Sequence, residues 1–241
     1  MTIAPKLLKM AQLMKRPFFA STVLRHRVAA TVEHLEAISF CAPATLIDVG
    51  ANKGQFSTAV RGLLPEAVIH AFEPLPVAAD RFASVFRGDP LVHLHRFAIG
   101  AENGTSTFFV ADREDSSSLL KPGKGQQDAY GVSAKEQIKV EVRPLGSVID
   151  LTALPSPVLL KIDVQGTELD VLKGIESLDP FDFIYVELSF VVLYEGQCLF
   201  EEVRAHLAGR GFSLRGVFNQ SVTSAFGPTQ ADCLFVRDDD R

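Results

Sequence analysis

The stretch LIDVGANKGQFS, Leu46–Ser57, limits the fold more than any other. A short apolar run carries Asp48 and meets two glycines four residues apart, Gly50 and Gly54, before helical spacing begins. An apolar strand that turns through glycine into a helix opens a βαβ unit. The chain keeps that rhythm. AVIHAFEP reads as a second strand closed by Glu73-Pro74. PVAADRFASVFRG reads as a helix with Pro76 in its first turn and Gly88 past its end, where helix boundaries favour these residues. LVHLHRFAIG is a third strand. GTSTFFVA and EQIKVEVRPL read as strands flanking a loop rich in glycine, serine and charge. The alternation then returns: PVLLKIDVQG strand, TELDVLKGIESL helix, DFIYVELSF strand, LFEEVRAHLAGRG helix, and a closing strand pair, FSLRGVFN and DCLFVRD.

Five apolar strands alternating with helices imply a doubly wound α/β sheet, parallel and covered on both faces. No helix separates the closing pair, so one of those strands is expected to run antiparallel. Before this region, Leu24, Val28, Leu35 and Ile38 form a helical stripe over Val23–Ile38, and Pro43 interrupts it. The expected organisation is an N-terminal helical segment, 1–42, and one domain over 43–241.

Composition excludes several classes of partner. Of 241 residues, 47% are hydrophobic, enough for a sizeable core. A net charge of −5 argues against a general nucleic-acid binder, which needs a basic face to displace counterions. Cys41, Cys198 and Cys233 are widely spaced and odd in number, so neither a disulfide framework nor a metal knuckle follows, and the reducing cytoplasm is the expected home. Residues 1–40 carry six basic side chains against Glu33 and Glu36, leaving −9 for the remainder. The apolar runs there are broken by lysines, so no signal-peptide core is read, and no stretch approaches the ~20 apolar residues of a membrane span. This basic helix is expected to pack over the main domain, closing the active site or forming a dimer contact. The other reading is a helix resting on a membrane or acidic partner.

In an open α/β sheet, ligands sit beyond the carboxyl ends of the strands, where strand order reverses. The spacing G-x-x-x-G is not the G-x-G-x-x-G of dinucleotide folds, and Asn52 occupies the place of its second glycine. Such a turn suits a nucleoside without phosphates. Glu73, 23 residues beyond Gly50, ends the second strand where an acidic side chain can accept hydrogen bonds from both ribose hydroxyls.

The segments IDVGANKGQFS, AFEPLP, FAIG, LLKIDVQGTELDVLKG and YVELSFVVLYEGQ, in that order, resemble methyltransferases of the FkbM type. The likeness covers roughly residues 44–238, and KIDVQGTELDVLKG is its most specific block. One departure is Arg96, where the family's N-x-A-x-G segment carries Asn. The resemblance implies a class I, Rossmann-like methyltransferase sheet of seven mostly parallel strands with the last inserted antiparallel. It implies S-adenosylmethionine as cofactor and O-methylation of a hydroxyl on a sugar, glycan or secondary metabolite.

By the same resemblance, Asp48, Gly50, Asn52 and Gly54 hold the methionine part of the cofactor, Glu73 the ribose, and Phe97 and Ala98 lie near the adenine. Methyl transfer to an alcohol asks for alignment and for a proton acceptor. Asp163, ending the fourth strand on the same side as Lys161, is the leading acid–base or orienting residue, and Glu187 on the fifth strand is the second. The two carboxylates can alternatively share a divalent metal with a substrate diol; no metal ligand is otherwise assigned. Gln165 and Glu168 lie in the same turn as Asp163. Tyr194 either lines the acceptor pocket or packs in the core, and the Ser116–Ser118 loop covers the cofactor. His93 and His95 share a strand face, His70 is a core or sheet-edge residue, and His26, His34 and His206 read as surface. Two rival functions use the same sheet: an NAD(P)-dependent oxidoreductase, and a nucleoside-binding protein without catalysis.

Overall fold

The computed structural model describes residues 13–14 and 16–238. Residues 1–12 and 15, the start of the N-terminal segment expected to close the active site or form a dimer contact, therefore lie outside the described residues. Strands β1 (Thr45–Val49) and β7 (Val158–Ile162) are buried along their whole length, as near-continuous apolar runs demand when both sheet faces are covered. They pair in parallel at the centre of a seven-stranded sheet. Its order is β3 (Val92–His95), β2 (Val68–Phe72), β1, β7, β8 (Phe183–Ser189), β10 (Gly227–Arg237) and β9 (Phe212–Thr223). β10 runs antiparallel between β8 and β9, as expected of the closing strand pair.

One face carries α1 (Pro17–His26), α2 (Leu35–Cys41), α3 (Gln55–Leu63) and α4 (Pro76–Val85) over Leu46, Ile69, Ala71 and Leu159. The other face carries α6 (Glu168–Lys173) and α7 (Phe200–Ala208) over Ile47, Phe72, Leu160 and Ile184. Strand order reverses between β1 and β7, which places a crevice at their carboxyl ends.

Several elements depart from expectation. The helical stripe over Val23–Ile38 belongs to two helices, because Arg27 adopts φ 57° and turns the chain between them. Leu24, one member of that stripe, is exposed, whereas Phe19 is fully buried. Phe19 packs on Gly62, where an added Cβ would lie 2.1 Å from its ring, and this docks α1 onto α3. The third strand breaks after His95. Its continuation, β4 (Ala98–Ile99), joins β6 (Ala134–Arg143) and β5 (Gly104–Ala111) in a separate three-stranded sheet. The loop between β5 and β6 contains a short helix, α5 (Lys124–Tyr130).

Candidate active site

The β1–α3 turn is shaped by its fit to the protein. Gly50 has φ 77°, and a Cβ there would sit 1.8 Å from the carbonyl oxygen of Asp163. Glycine thus lets the turn ride against the end of β7. Gly54, with φ 86°, would drive a Cβ into Phe82 and Phe86. The turn's amides are used internally. Gly50 and Ala51 donate to the Phe72 carbonyl (3.1 and 3.0 Å) and Gly54 to Ala51 (2.9 Å). Asn52 N–H donates to Glu73 Oε2 (2.7 Å) and Lys53 N–H to Gln55 Oε1 (3.1 Å). A phosphate cradle needs free N–H groups aimed outward, and these five are already committed.

Above the turn opens a cleft continuous with solvent. Its apolar end is built from Leu75, Ala78, Ala98, Ile99 and Phe108. Glu73 lies beside them, 6% exposed, and also accepts from Leu75 N–H at 2.8 Å. Burial pushes its carboxyl up to about 7, against the pull of the two backbone donors.

The other end is polar. Lys161 donates to the Gly50 carbonyl (2.9 Å) and lies 3.1 Å from Asp48 and 3.7 Å from Asp163. Burial opposes its ammonium form, but Asp48 and Asp163 overcome that and hold its pKa above the ordinary lysine range. Gln165, held at φ 59°, donates its amide to Asp163 Oδ1 (2.8 Å) and Glu187 Oε2 (2.7 Å). Gln230 also donates to Glu187, at 3.2 Å. Asp232 stands directly opposite Glu187 across the β8–β10 pairing. Burial, then the neighbouring Asp163 and Asp232, pushes the Glu187 pKa well above the carboxylate range. Burial also lifts Asp232 to about 7.

Gly50, Asn52, Glu73, Ala98, Asp163 and Glu187 are brought together on this one cleft. Three other expected contacts are placed behind it. Asp48 is fully buried and turned to Ser57 Oγ (2.6 Å) and Lys161, because its strand is covered on both faces. Gly54 is packed on α4, as its missing Cβ shows. Phe97 lies under the Arg143 guanidinium, 4.8 Å away, and beside Phe72. Arg96, at the family's Asn position, pairs on the surface with Asp80.

Tyr194 is fully buried; its hydroxyl meets Gln126, the Ser116 carbonyl and Gln165, so it braces the site from beneath. Ser117 lines the cleft, and Ser118 Oγ donates to the Gln165 carbonyl. Glu168 is buried and caps Gly166 N–H. His34, expected on the surface, lines the cleft with its Nδ1 3.0 Å from Tyr185 Oη. The sequence reading missed His34 and Asp232 and used Lys161 only for its direction, although a lysine inside the apolar run VLLKIDV was a readable signal. Among the described residues, no group of three or more His, Cys, Asp or Glu is arranged to hold a metal.

A sequence profile described as the Methyltransferase FkbM domain matches residues 48–214. The 2-O-methyltransferase NoeI of Sinorhizobium fredii is 32% identical over 160 residues, covering 63% of this chain and 66% of the relative. The 31-O-demethyl-FK506 methyltransferase FkbM of Streptomyces tacrolimicus is 30% identical over 192 residues, 70% of this chain and 72% of the relative. The hexuronic acid methyltransferase AglP of Haloferax volcanii is 27% identical over 145 residues, 59% of this chain and 55% of the relative. The chain thus spans between about half and three quarters of the length of these relatives. Among solved structures, TehB of Haemophilus influenzae superimposes with a TM-score of 0.51 at 7% identity, over 92% of this chain and 67% of that one, a likeness of fold alone. With the profile spanning both the β1–α3 turn and the Asp163 block, the chain belongs to the FkbM methyltransferase domain family.

Proposed function

We propose that the protein is an S-adenosylmethionine-dependent O-methyltransferase that acts on a hydroxyl of a sugar, glycan or secondary metabolite. The observation that carries this reading is the charge and hydrogen-bond state of the cleft. Among the described residues six carboxyl groups line it, on Glu73, Glu114, Asp115, Asp163, Glu187 and Asp232; Glu114 is paired with Lys53 and Asp163 lies near Lys161, and burial favours the protonated forms of Glu73, Glu187 and Asp232. The turn that would have to cradle a pyrophosphate has committed its amides. A pyrophosphate finds neither free amides nor an unpaired cation there, whereas a cationic nucleoside suits the acidic lining. Three buried oxygens at the cleft, Asn52 Oδ1, Thr31 Oγ1 and Thr167 Oγ1, have no hydrogen-bond partner among the described residues, as suits a site that receives an ammonium donor.

In this reading Glu73 holds the ribose hydroxyls, Ala98, Ile99 and Phe108 enclose the adenine, and Asn52 receives the amino group. The cofactor supplies a methyl group on a cationic sulfur. Asp163, whose side chain is 37% exposed, and Glu187 orient the acceptor oxygen, with Gln165 fixing the distance between them. Positioning of this kind is worth up to ~7–11 kcal/mol in aligned reactions. NoeI and FkbM are named for transfer to oxygen and AglP for a hexuronic acid, which supports a hydroxyl acceptor. The free cysteines support a reducing, cytoplasmic setting.

The test is incubation with methyl-labelled S-adenosylmethionine and a panel of methyl glycosides and hydroxylated metabolites, following label in the acceptor and release of S-adenosylhomocysteine. Label on a hydroxyl, lost in Asp163→Asn, supports the reading. Tight binding of the sulfonium with no transfer to any acceptor, and no effect of Asp163→Asn, would instead favour a non-catalytic binder.

A further inference from the structure

Segment 112–118, which follows β5, crosses the mouth of the cleft. Glu114, Asp115 and Ser117 line the cleft from this side, and Asn52 and Glu73 line it from the side of the β1–α3 turn. The base of the segment is fastened by hydrogen bonds. Phe109 and Ser118 exchange both backbone bonds (2.7 and 3.1 Å), and Ser118 Oγ donates to the Gln165 carbonyl (2.7 Å). The tip is fastened by charge. It contains the single 3₁₀ turn Glu114–Ser116, and Glu114 Oε2 lies 2.6 Å from Lys53 Nζ. Lys53 follows Asn52 in the turn that shapes the cleft, so this ion pair joins the two sides of the mouth. The hydrogen bond from Lys53 holds the Glu114 carboxyl below the usual carboxylate range, and Arg81 on α4 and Lys135 on β6 pull in the same direction. Arg113 and Asp115, the other charges beside the tip, pair with each other at 3.3 Å.

Resting on the methyltransferase reading of this cleft, we propose that segment 112–118 is a strap over the nucleoside, latched by Lys53 and Glu114, and that the latch opens each time the spent cofactor leaves. In that reading the ribose sits at Glu73 and the adenine beside Phe108 of β5, the strand from which the strap springs. A strap of this kind keeps water from the reacting groups and sets the rate of product release. The latch has a strength that suits this part. Its side chains are 23% and 35% exposed, against 9% and 0% for Lys161 and Asp48. A partly exposed pair shifts an equilibrium by only about fivefold, and salt screens it. It holds the strap shut and still lets it open within a catalytic cycle.

The test is the dissociation rate of tritiated S-adenosylhomocysteine, chased with excess unlabelled ligand. Lys53→Met and Glu114→Gln are each expected to release it about threefold to fivefold faster than wild type. The double variant should be no faster than Glu114→Gln, since one broken latch cannot be broken twice. Raising NaCl from about 0.05 to 0.5 M should speed release from the wild type and leave the double variant unmoved. Wild-type rates in both single variants, or effects that multiply in the double variant, would overturn the proposal. A second readout needs no ligand. Trypsin cleavage after Arg113 in the folded protein reports the open fraction of the strap, and it is expected to be about threefold to fivefold faster in Lys53→Met. Equal cleavage rates would reject the latch whatever the cleft binds. Failure of the underlying methyltransferase reading would show separately, as no calorimetric binding of S-adenosylhomocysteine to the wild-type protein, with the trypsin result still deciding the latch.

Discussion

Lys161 Nζ lies 3.1 Å from Asp48 Oδ1 inside the central sheet, and the two side chains are 9% and 0% exposed. The same ammonium holds the Gly50 carbonyl, so one cation ties β7 to the turn that shapes the cleft. Removing one partner of a buried pair strands the other charge, at a cost of about 3–5 kcal/mol. Lys161→Met is expected to destabilise the protein by that amount in urea unfolding. Lys161→Met combined with Asp48→Asn should recover much of the loss, because no buried charge is then left alone.

Gly50 and Gly88 both have positive φ, 77° and 81°, but a Cβ at Gly88 meets nothing within 4 Å. Gly88→Ala therefore carries only the left-handed backbone cost, about 1–2 kcal/mol. Gly50→Ala adds a collision with the Asp163 carbonyl and is expected to cost about 3 kcal/mol or more. Equal unfolding midpoints for the two variants would show that the turn does not pack on β7 as described.

Stability should fall as pH rises through neutrality. Burial raises Glu73, Glu168 and Asp232 to about 7. In the window between the ordinary carboxyl pKa and 7 the folded state therefore binds more protons than the unfolded one. Stability from such groups is present below that window and lost as pH climbs through it. His70 works the other way: burial, then His93 and His95, lower it to about 4, so its contribution is present above 6.5 and lost as pH falls toward 4. Three carboxyls outweigh one histidine. The ligand-free protein should lose about 4 kcal/mol of unfolding free energy between pH 5.5 and 8, and Glu168→Gln should flatten that slope.

Asp163→Asn keeps the shape of the side chain, and Gln165 can still bond it after rotating its own amide. If Asp163 orients the acceptor as proposed, removing this cleft-lining charge is expected to reduce turnover by about 10²-fold or more, with the calorimetric Kd for S-adenosylmethionine changed by less than about threefold. A comparable loss in both quantities would place Asp163 in cofactor binding instead.

Much of this architecture is written locally. The β1 and β7 segments are unbroken apolar runs, and Gly50, Asn52 and Glu73 sit at spacings that one strand, one turn and the next strand end impose. That is why the sheet, the turn and the Asp163 block could be read directly. What stayed hidden depends on distant pairing. His34 meets Tyr185 and Asp232, 151 and 198 positions further along, and nothing near His34 signals a cleft. Asp48 carried the look of a ligand contact until Lys161 claimed it from the neighbouring strand. Ala98–Ile99 continued an apolar strand in sequence, yet pairs with β6 because the chain bends after His95. The αL turn at Arg27 had no glycine to announce it.

The most direct measurement is calorimetric titration of the purified protein with S-adenosylmethionine, S-adenosylhomocysteine and NAD in parallel. Saturable heat from both sulfur nucleosides and none from NAD is the expected result, since the turn's amides are committed and the cleft is lined with carboxyls. Binding of NAD without either sulfur nucleoside would contradict the reading of the cleft as a cationic nucleoside site, and the methyl-transfer assignment would fall with it.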